Sequence, residues 1–181
     1  MPADLATSRA LESYRDIVRF FDRLVGLLPA QAAMGTGALL VAAAGNESKR
    51  ELRPSYRIAV APPAAADGIL SVGALASAGP PHDQLRVAPF SSYRPLVCAP
   101  GVAITSDRAG GGLVWMSGTS MASPHATGLA ALWAERQRRE SGGIRVGTLL
   151  AQLEGRAGRG RLAPAAEAAD IGAGLVGAPQ D

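Results

Sequence analysis

Ser117-Gly118-Thr119-Ser120-Met121-Ala122-Ser123-Pro124-His125 sets a serine where a glycine-containing turn runs into an alanine-rich helix. A hydroxyl is a poor nucleophile unless it is held in the open, near a base and near donors that take up the charge of a tetrahedral intermediate. Gly118 permits a tight turn, and a helix starting near Met121 would aim its free N–H groups and positive dipole end at Ser120. Pro124 suits the first turn of such a helix, where it has no N–H to lose. The stretch is not the Gly-x-Ser-x-Gly elbow of the α/β-hydrolases, because its last position is Ala122. Serine and threonine are also favoured helix N-caps, so these nine residues alone leave nucleophile and cap both open.

A second stretch changes the balance. Ala38-Leu39-Leu40-Val41-Ala42-Ala43-Ala44-Gly45-Asn46-Glu47-Ser48 reads as a short apolar strand with Gly-Asn at its carboxyl end, where open α/β sheets place their sites. Together with the serine stretch about seventy residues later, Ala43-Ala44-Gly45-Asn46 resembles the oxyanion segment of the subtilisin-like serine peptidases, the subtilases. Phe90-Ser91-Ser92 leading to Ala99-Pro100-Gly101-Val102, and Asp170-Ile171-Gly172-Ala173-Gly174-Leu175-Val176, fit the same family in the same order. The resemblance runs from about residue 10 to about residue 178.

The resemblance implies an α/β fold of subtilisin type, three layers αβα around a mainly parallel sheet. It also implies a serine endopeptidase that cleaves polypeptides through an acyl-enzyme. By the same resemblance Ser120 is the nucleophile and its backbone N–H one oxyanion donor, with the Asn46 side-chain amide as the second. Ala43, Ala44 and Gly45 are then one wall of the pocket for the substrate side chain preceding the cleaved bond. Read locally, Asn46 is also a left-handed turn residue after a strand.

The departures from the family matter as much. A Ser-His-Asp triad needs an imidazole to take the serine proton and a carboxylate to orient it. The family carries both ahead of the Gly-Asn segment, in Asp-Thr/Ser-Gly and His-Gly-Thr-His motifs, and neither motif occurs in this sequence. No histidine precedes Ala38, and the Ser-Leu-Gly-Gly strand that forms the other pocket wall is missing. Residues 1–181 are therefore expected to be a single, N-terminally truncated catalytic domain that begins just after that strand. His125 lies five residues after Ser120, about 140° round a helix axis, and matches the family's non-catalytic Pro-His, so packing against the site floor is expected of it. His82, in Ala78-Gly79-Pro80-Pro81-His82-Asp83, reads as a surface-loop residue.

Composition fits one globular domain and adds little about partners. The 181 residues are 48% hydrophobic, but only 4% are aromatic and much of the apolar content is alanine, so the core is expected to be shallow. Seventeen of eighteen basic residues are arginine, which reflects coding bias more than function, and the net charge is only +3. Arg136, Arg138 and Arg139 at a helix C-terminus interact favourably with its dipole and need no nucleic acid to explain them. Arg156, Arg159 and Arg161 lie among glycines and read as a solvated loop. Cys98, the sole cysteine, reads as a small buried apolar residue. No metal-ligand spacing is visible; structural calcium is frequent in the family, but no loop marks a site for it. The N-terminus has no signal-peptide pattern, and the apolar run 24–45 is interrupted by Pro29, Gln31, Gly35 and Gly37, so neither a membrane span nor a compartment follows.

Periodicity supplies the coarse map. Leu11, Tyr14, Val18, Phe21, Val25 and Leu28 predict an amphipathic helix closed by Pro29. Strands are predicted at about 38–44, 69–75, 95–99 and 113–116, helices at about 121–139 and 146–154, and a loop at Gly110 to Gly112. Three functions of different classes then stand: a serine endopeptidase whose histidine and aspartate lie in preceding sequence, a non-catalytic peptide-binding or pseudo-enzyme remnant, and a half-enzyme completed by a separate N-terminal chain.

Overall fold

The computed structural model describes residues 1–32, 37–79 and 84–180, with the side chains of residues 29–32 outside that description. The elements are α1 (Ala3–Ala32), β1 (Leu40–Ala43), β2 (Ile69–Ser77), β3 (Leu85–Val87), β4 (Val97–Pro100), β5 (Ile104–Asp107), β6 (Leu113–Met116), α2 (Thr119–Ser141), α3 (Val146–Gly155) and α4 (Ala168–Ile171). β1, β2 and β4 run parallel with β2 in the middle, and β3 returns antiparallel along the far end of β2. Val72 pairs with both Ala43 and Val97, and Leu75 with both Val87 and Pro100, so β1 and β3 share one edge of β2 and β4 holds the other. Among the described residues no strand pairs with the outer edge of β1.

β2 reads as an unbroken small and apolar run, Ile69 to Ala76, because both of its faces are covered. Leu70, Val72 and Ala74 meet Ala122, Ala126 and Trp133 of α2 and Leu149 and Leu153 of α3 in the main core. Leu75 and Cys98 face the other way, onto Leu162 and Ile171 of a C-terminal wrap that includes α4. The structure is thus an α/β fold with a mixed, mainly parallel sheet. Its second face is covered by short and irregular segments. Ala122, Ala126 and Ala130 recur every four residues on the sheet side of α2, and their small side chains let the helix lie close. Gly101 completes that approach: a Cβ there would come 2.8 Å from both Ala74 Cβ and the Gly118 carbonyl oxygen.

Several sequence expectations shift. α2 begins at Thr119, two residues earlier than predicted, so Pro124 falls in the second turn, where it has no N–H to offer the Ser120 carbonyl one turn before it. α1 continues past Pro29 to Ala32, since a proline removes one hydrogen bond without ending every helix. Val18, Phe21, Val25 and Leu28 are half-buried as the periodicity implies, whereas Leu11 and Tyr14 are exposed. The first half of α1 stands clear of the body, touching it through the Tyr14 hydroxyl, which donates to the Val60 carbonyl at 3.3 Å. The strand at 113–116 is real but belongs to a separate hairpin with β5, turned by Gly110, Gly111 and Gly112, all at positive φ. β3, β5 and α4 were not predicted. His82 and Asp83 lie outside the described residues.

Arginines of both clusters are engaged within the chain. Arg136 pairs with Glu140 at 2.7 Å and Arg139 with Glu135 at 2.5 Å, each one helical turn apart. Arg159, expected in a solvated loop, donates to the Gly172 carbonyl at 3.1 Å. Cys98 is fully buried, and burial pushes its thiol up to about 12. Among the described residues no group of three or more His, Cys, Asp or Glu side chains could hold a metal ion, and no helix is long and apolar enough to cross a membrane.

Candidate active site

The carboxyl end of β1 and the amino end of α2 meet at one place, and the hydrogen bonds between them define it. Gly118 caps α2, with no side-chain cap bond, and its carbonyl accepts from Met121 N–H at 3.0 Å and Ala122 N–H at 3.3 Å. Thr119 N–H donates to Asn46 Oδ1 at 2.8 Å, and the Thr119 hydroxyl lies 3.1 Å from the same oxygen. That hydroxyl in turn accepts from Gly45 N–H at 3.2 Å. Its one proton and one of its lone pairs are therefore both used. A backbone N–H can only donate, so the atom facing it must be the amide oxygen, and Asn46 Nδ2 is left pointing elsewhere.

Two donors then remain without an acceptor among the described residues: Asn46 Nδ2 and Ser120 N–H, the latter at the second position of α2. Free N–H groups in the first turn of a helix, reinforced by its dipole, favour negative charge. Ser120 itself is exposed at this helix start, and Gly118 rather than Ser120 takes the cap position, so the capping alternative does not describe it. The left-handed turn alternative for Asn46 does not hold either. Gly45 carries the positive φ, +116°, and a Cβ there would also come 2.7 Å from Ser92 Oγ.

The proposed pocket wall divides by strand alternation. Ala44 is fully buried with Val60 and Ala64, while Ala43 and Gly45 keep exposed surface. The loop after Asn46 is held by the segment 88–93. Ser92 N–H donates to the Gly45 carbonyl at 3.0 Å, Ser48 N–H to the Phe90 carbonyl at 3.1 Å, and Ser91 Oγ accepts from Ala74 N–H at 3.0 Å. Phe90-Ser91-Ser92 was legible only as a family signature; its work as a brace was not. On the other flank, Ser117 Oγ accepts from Ala103 N–H at 3.0 Å and Gly118 N–H donates to the Gly101 carbonyl at 2.8 Å, bolting the turn before Ser120 to the end of β4.

No base faces Ser120 among the described residues. His125 is their single histidine, and it is exposed instead of packed against the site floor. Its Nδ1 lies 2.9 Å from the Met121 carbonyl, which makes that nitrogen the protonated one. Ser120 and His125 border the same shallow depression of about 380 Å³ with Ile104, Met116, Met121 and Pro124, without a hydrogen bond between them.

The model of the subtilase family matches residues 7–151. A thermophilic serine proteinase of Bacillus sp. (strain AK1) is 41% identical over 109 residues, 59% of this chain and 23% of that protein. A thermostable alkaline protease of Halalkalibacterium halodurans is 38% identical over 111 residues, 60% of this chain and 27% of that protein. Among solved structures, the patellamide maturation protease PatA superposes with a TM-score of 0.61 at 29% identity, over 77% of this chain and 48% of its own. The prenylagaramide maturation protease PagA shares the fold with a TM-score of 0.61 at 24% identity. The chain thus spans about half the length of these structures and less than a third of those curated relatives.

Proposed function

Because this chain belongs to the subtilase family, we propose that it carries the acyl-transfer half of a serine endopeptidase, with Ser120 as nucleophile and a polypeptide as substrate. The observation that carries this reading is the pair of unpaired donors, Ser120 N–H and Asn46 Nδ2, beside an exposed serine hydroxyl. Ser120 Oγ bonds to the scissile carbonyl carbon and passes its proton to a base. The carbonyl electron pair becomes an oxyanion between the two donors, then returns to expel the amine, which leaves with a proton. Water repeats the sequence on the ester. Ala43 and Gly45 border the side chain preceding the cleaved bond.

The base comes from outside the described residues, on a segment either continuous with this chain or separate, and the edge of β1 beside Asn46, which no strand pairs among the described residues, is where such a segment extends the sheet. The lack, among the described residues, of any imidazole at Ser120 also favours a second reading, a peptide-binding remnant without turnover. One experiment separates them. The chain is mixed with, or fused to, the N-terminal part of the Bacillus sp. (strain AK1) proteinase that precedes the matched region, and chromogenic peptide hydrolysis is compared with a Ser120→Ala control. Serine-dependent turnover supports the peptidase; peptide binding without turnover, in a complex that assembles, supports the remnant.

A further inference from the structure

We infer that Asp170, acting through Arg50, is a positioning residue for Asn46, so that the C-terminal wrap sets the geometry of the oxyanion site. The inference rests on the proposed role of Asn46 for its consequence, but the contacts stand independently of it. Arg50 lies four residues after Asn46, and its Nη2 meets Asp170 Oδ1 at 2.6 Å with both side chains about nine-tenths buried. The other arm of the guanidinium, Nη1, donates to the Ser91 carbonyl, and Arg50 N–H donates to the Pro89 carbonyl at 3.2 Å. The next residue, Ser92, holds the Gly45 carbonyl immediately before Asn46. From Asp170 to Asn46 the path is therefore one ion pair, one charge-assisted hydrogen bond and one backbone hydrogen bond, with two peptide units between them.

The far side of the same loop is tied to the same helix. Arg57 forms two hydrogen bonds to Glu167, at 2.5 and 2.8 Å, and its Nη1 lies 3.6 Å from Asp170 Oδ2. Loop 46–58 is thus anchored at both ends, through Arg50 to Asp170 in α4 and through Arg57 to its N-cap residue Glu167, across more than a hundred residues of sequence. A two-point anchor restrains rotation as well as translation, which a single salt bridge would not. Arg50 Nε is buried with no partner of its own, so the guanidinium is held through Nη1 on the Ser91 carbonyl and Nη2 on Asp170, and Asp170 supplies its only ion pair among the described residues. α4 is too short to fix Asp170 by itself; its position comes from Arg94 N–H on the Ala169 carbonyl and Ala173 N–H on the Leu96 carbonyl.

The test reads backbone amide exchange by NMR in the chain itself. Thr119 N–H reports on Asn46 directly, since Asn46 Oδ1 is its acceptor, and Ser92 N–H reports on the brace. Asp170→Asn is expected to speed exchange at Thr119 and Ser92 by about tenfold while Leu129 and Leu153 in the core stay within about twofold of wild type. Asp170→Glu should restore most of the protection. Should Asp170→Asn fail to fold, Arg50→Lys, which keeps the charge but loses the two-armed grip, is read on the same amides with the same expectation. Unchanged exchange at Thr119, or an equal rise at all four amides, overturns the inference. Because the readout needs no turnover, its failure is distinct from a failure of the peptidase reading. In an assembled active enzyme, the same variants should lower kcat with KM nearly unchanged.

Discussion

Thr119 sits between Gly45 and Asn46, accepting from one and donating to the other, and this fixes which end of the Asn46 amide is left free. Replacing Thr119 by valine keeps the shape and removes the hydroxyl. Gly45 N–H then loses its acceptor, and a destabilisation of about 1–3 kcal/mol is expected in urea unfolding. Thr119→Ser keeps the hydroxyl and should stay within about 1 kcal/mol of wild type. Equal losses for the two variants would mean that the methyl group, not the hydroxyl, is what matters.

The proposed roles of Ser120 and Asn46 predict two different silences. Alone, the chain should release no more chromogenic leaving group than Ser120→Ala, because no imidazole touches Ser120 among the described residues. In an assembled enzyme, Asn46→Leu should lower kcat by about 10²–10³ with KM nearly unchanged, a magnitude carried over from the oxyanion asparagine of a subtilisin. An effect confined to KM would make Asn46 a substrate-binding group instead.

Glu167 gives the fold an acid-sensitive contact. Its hydrogen bonds from Arg57, and then the charge of Arg57, hold its carboxyl below the ordinary value of 4.5. A depressed folded value adds stability above the unfolded pKa, and that stability is lost as pH falls through the folded one. Glu167→Gln is therefore expected to be less stable than wild type at pH 7, with the gap closing below 4.5. Urea midpoints from pH 7 to pH 3 measure this; a gap that is constant with pH would remove the ion pair from the account.

Cys98 should behave as an inert thiol until the sheet opens. Burial holds it protonated up to about 12, so at pH 8 an aromatic disulfide should label it only as fast as the chain unfolds. The labelling rate should then be independent of reagent concentration at high reagent. As the unfolded thiol ionises first, near 9.0, this group also lowers stability above that pH, and Cys98→Ala should flatten the alkaline limb. Rapid labelling proportional to reagent would place the thiol at the surface.

What could be read from the sequence was what is local. Gly45-Asn46 after a strand and Ser120 at a helix start depend on neighbours a few residues away, and both stand where the motifs put them. Helix limits were displaced where tertiary packing decided them: α2 gained Thr119 and Ser120 because Gly118, tied to Gly101, took the cap. β3 and β5 are three and four residues long, too short to show a period. Thr119 looked like part of a signature, and only the meeting of β1 with α2 reveals it as the group that turns Asn46. Arg50 and Asp170 are 120 residues apart, and nothing in either neighbourhood names the other.

The edge of β1 that no strand pairs among the described residues also bears on how the chain should behave in solution. Four apolar residues, Leu40 to Ala43, are only half-buried there, and Ile17, Phe20, Leu24 and Leu27 of α1 are exposed. A row of open backbone donors and acceptors next to apolar side chains is a template for another copy as much as for a complementing segment. On the proposed reading a complementing segment and a second copy of the chain compete for that one surface, so adding the complement should lower light scattering by the chain.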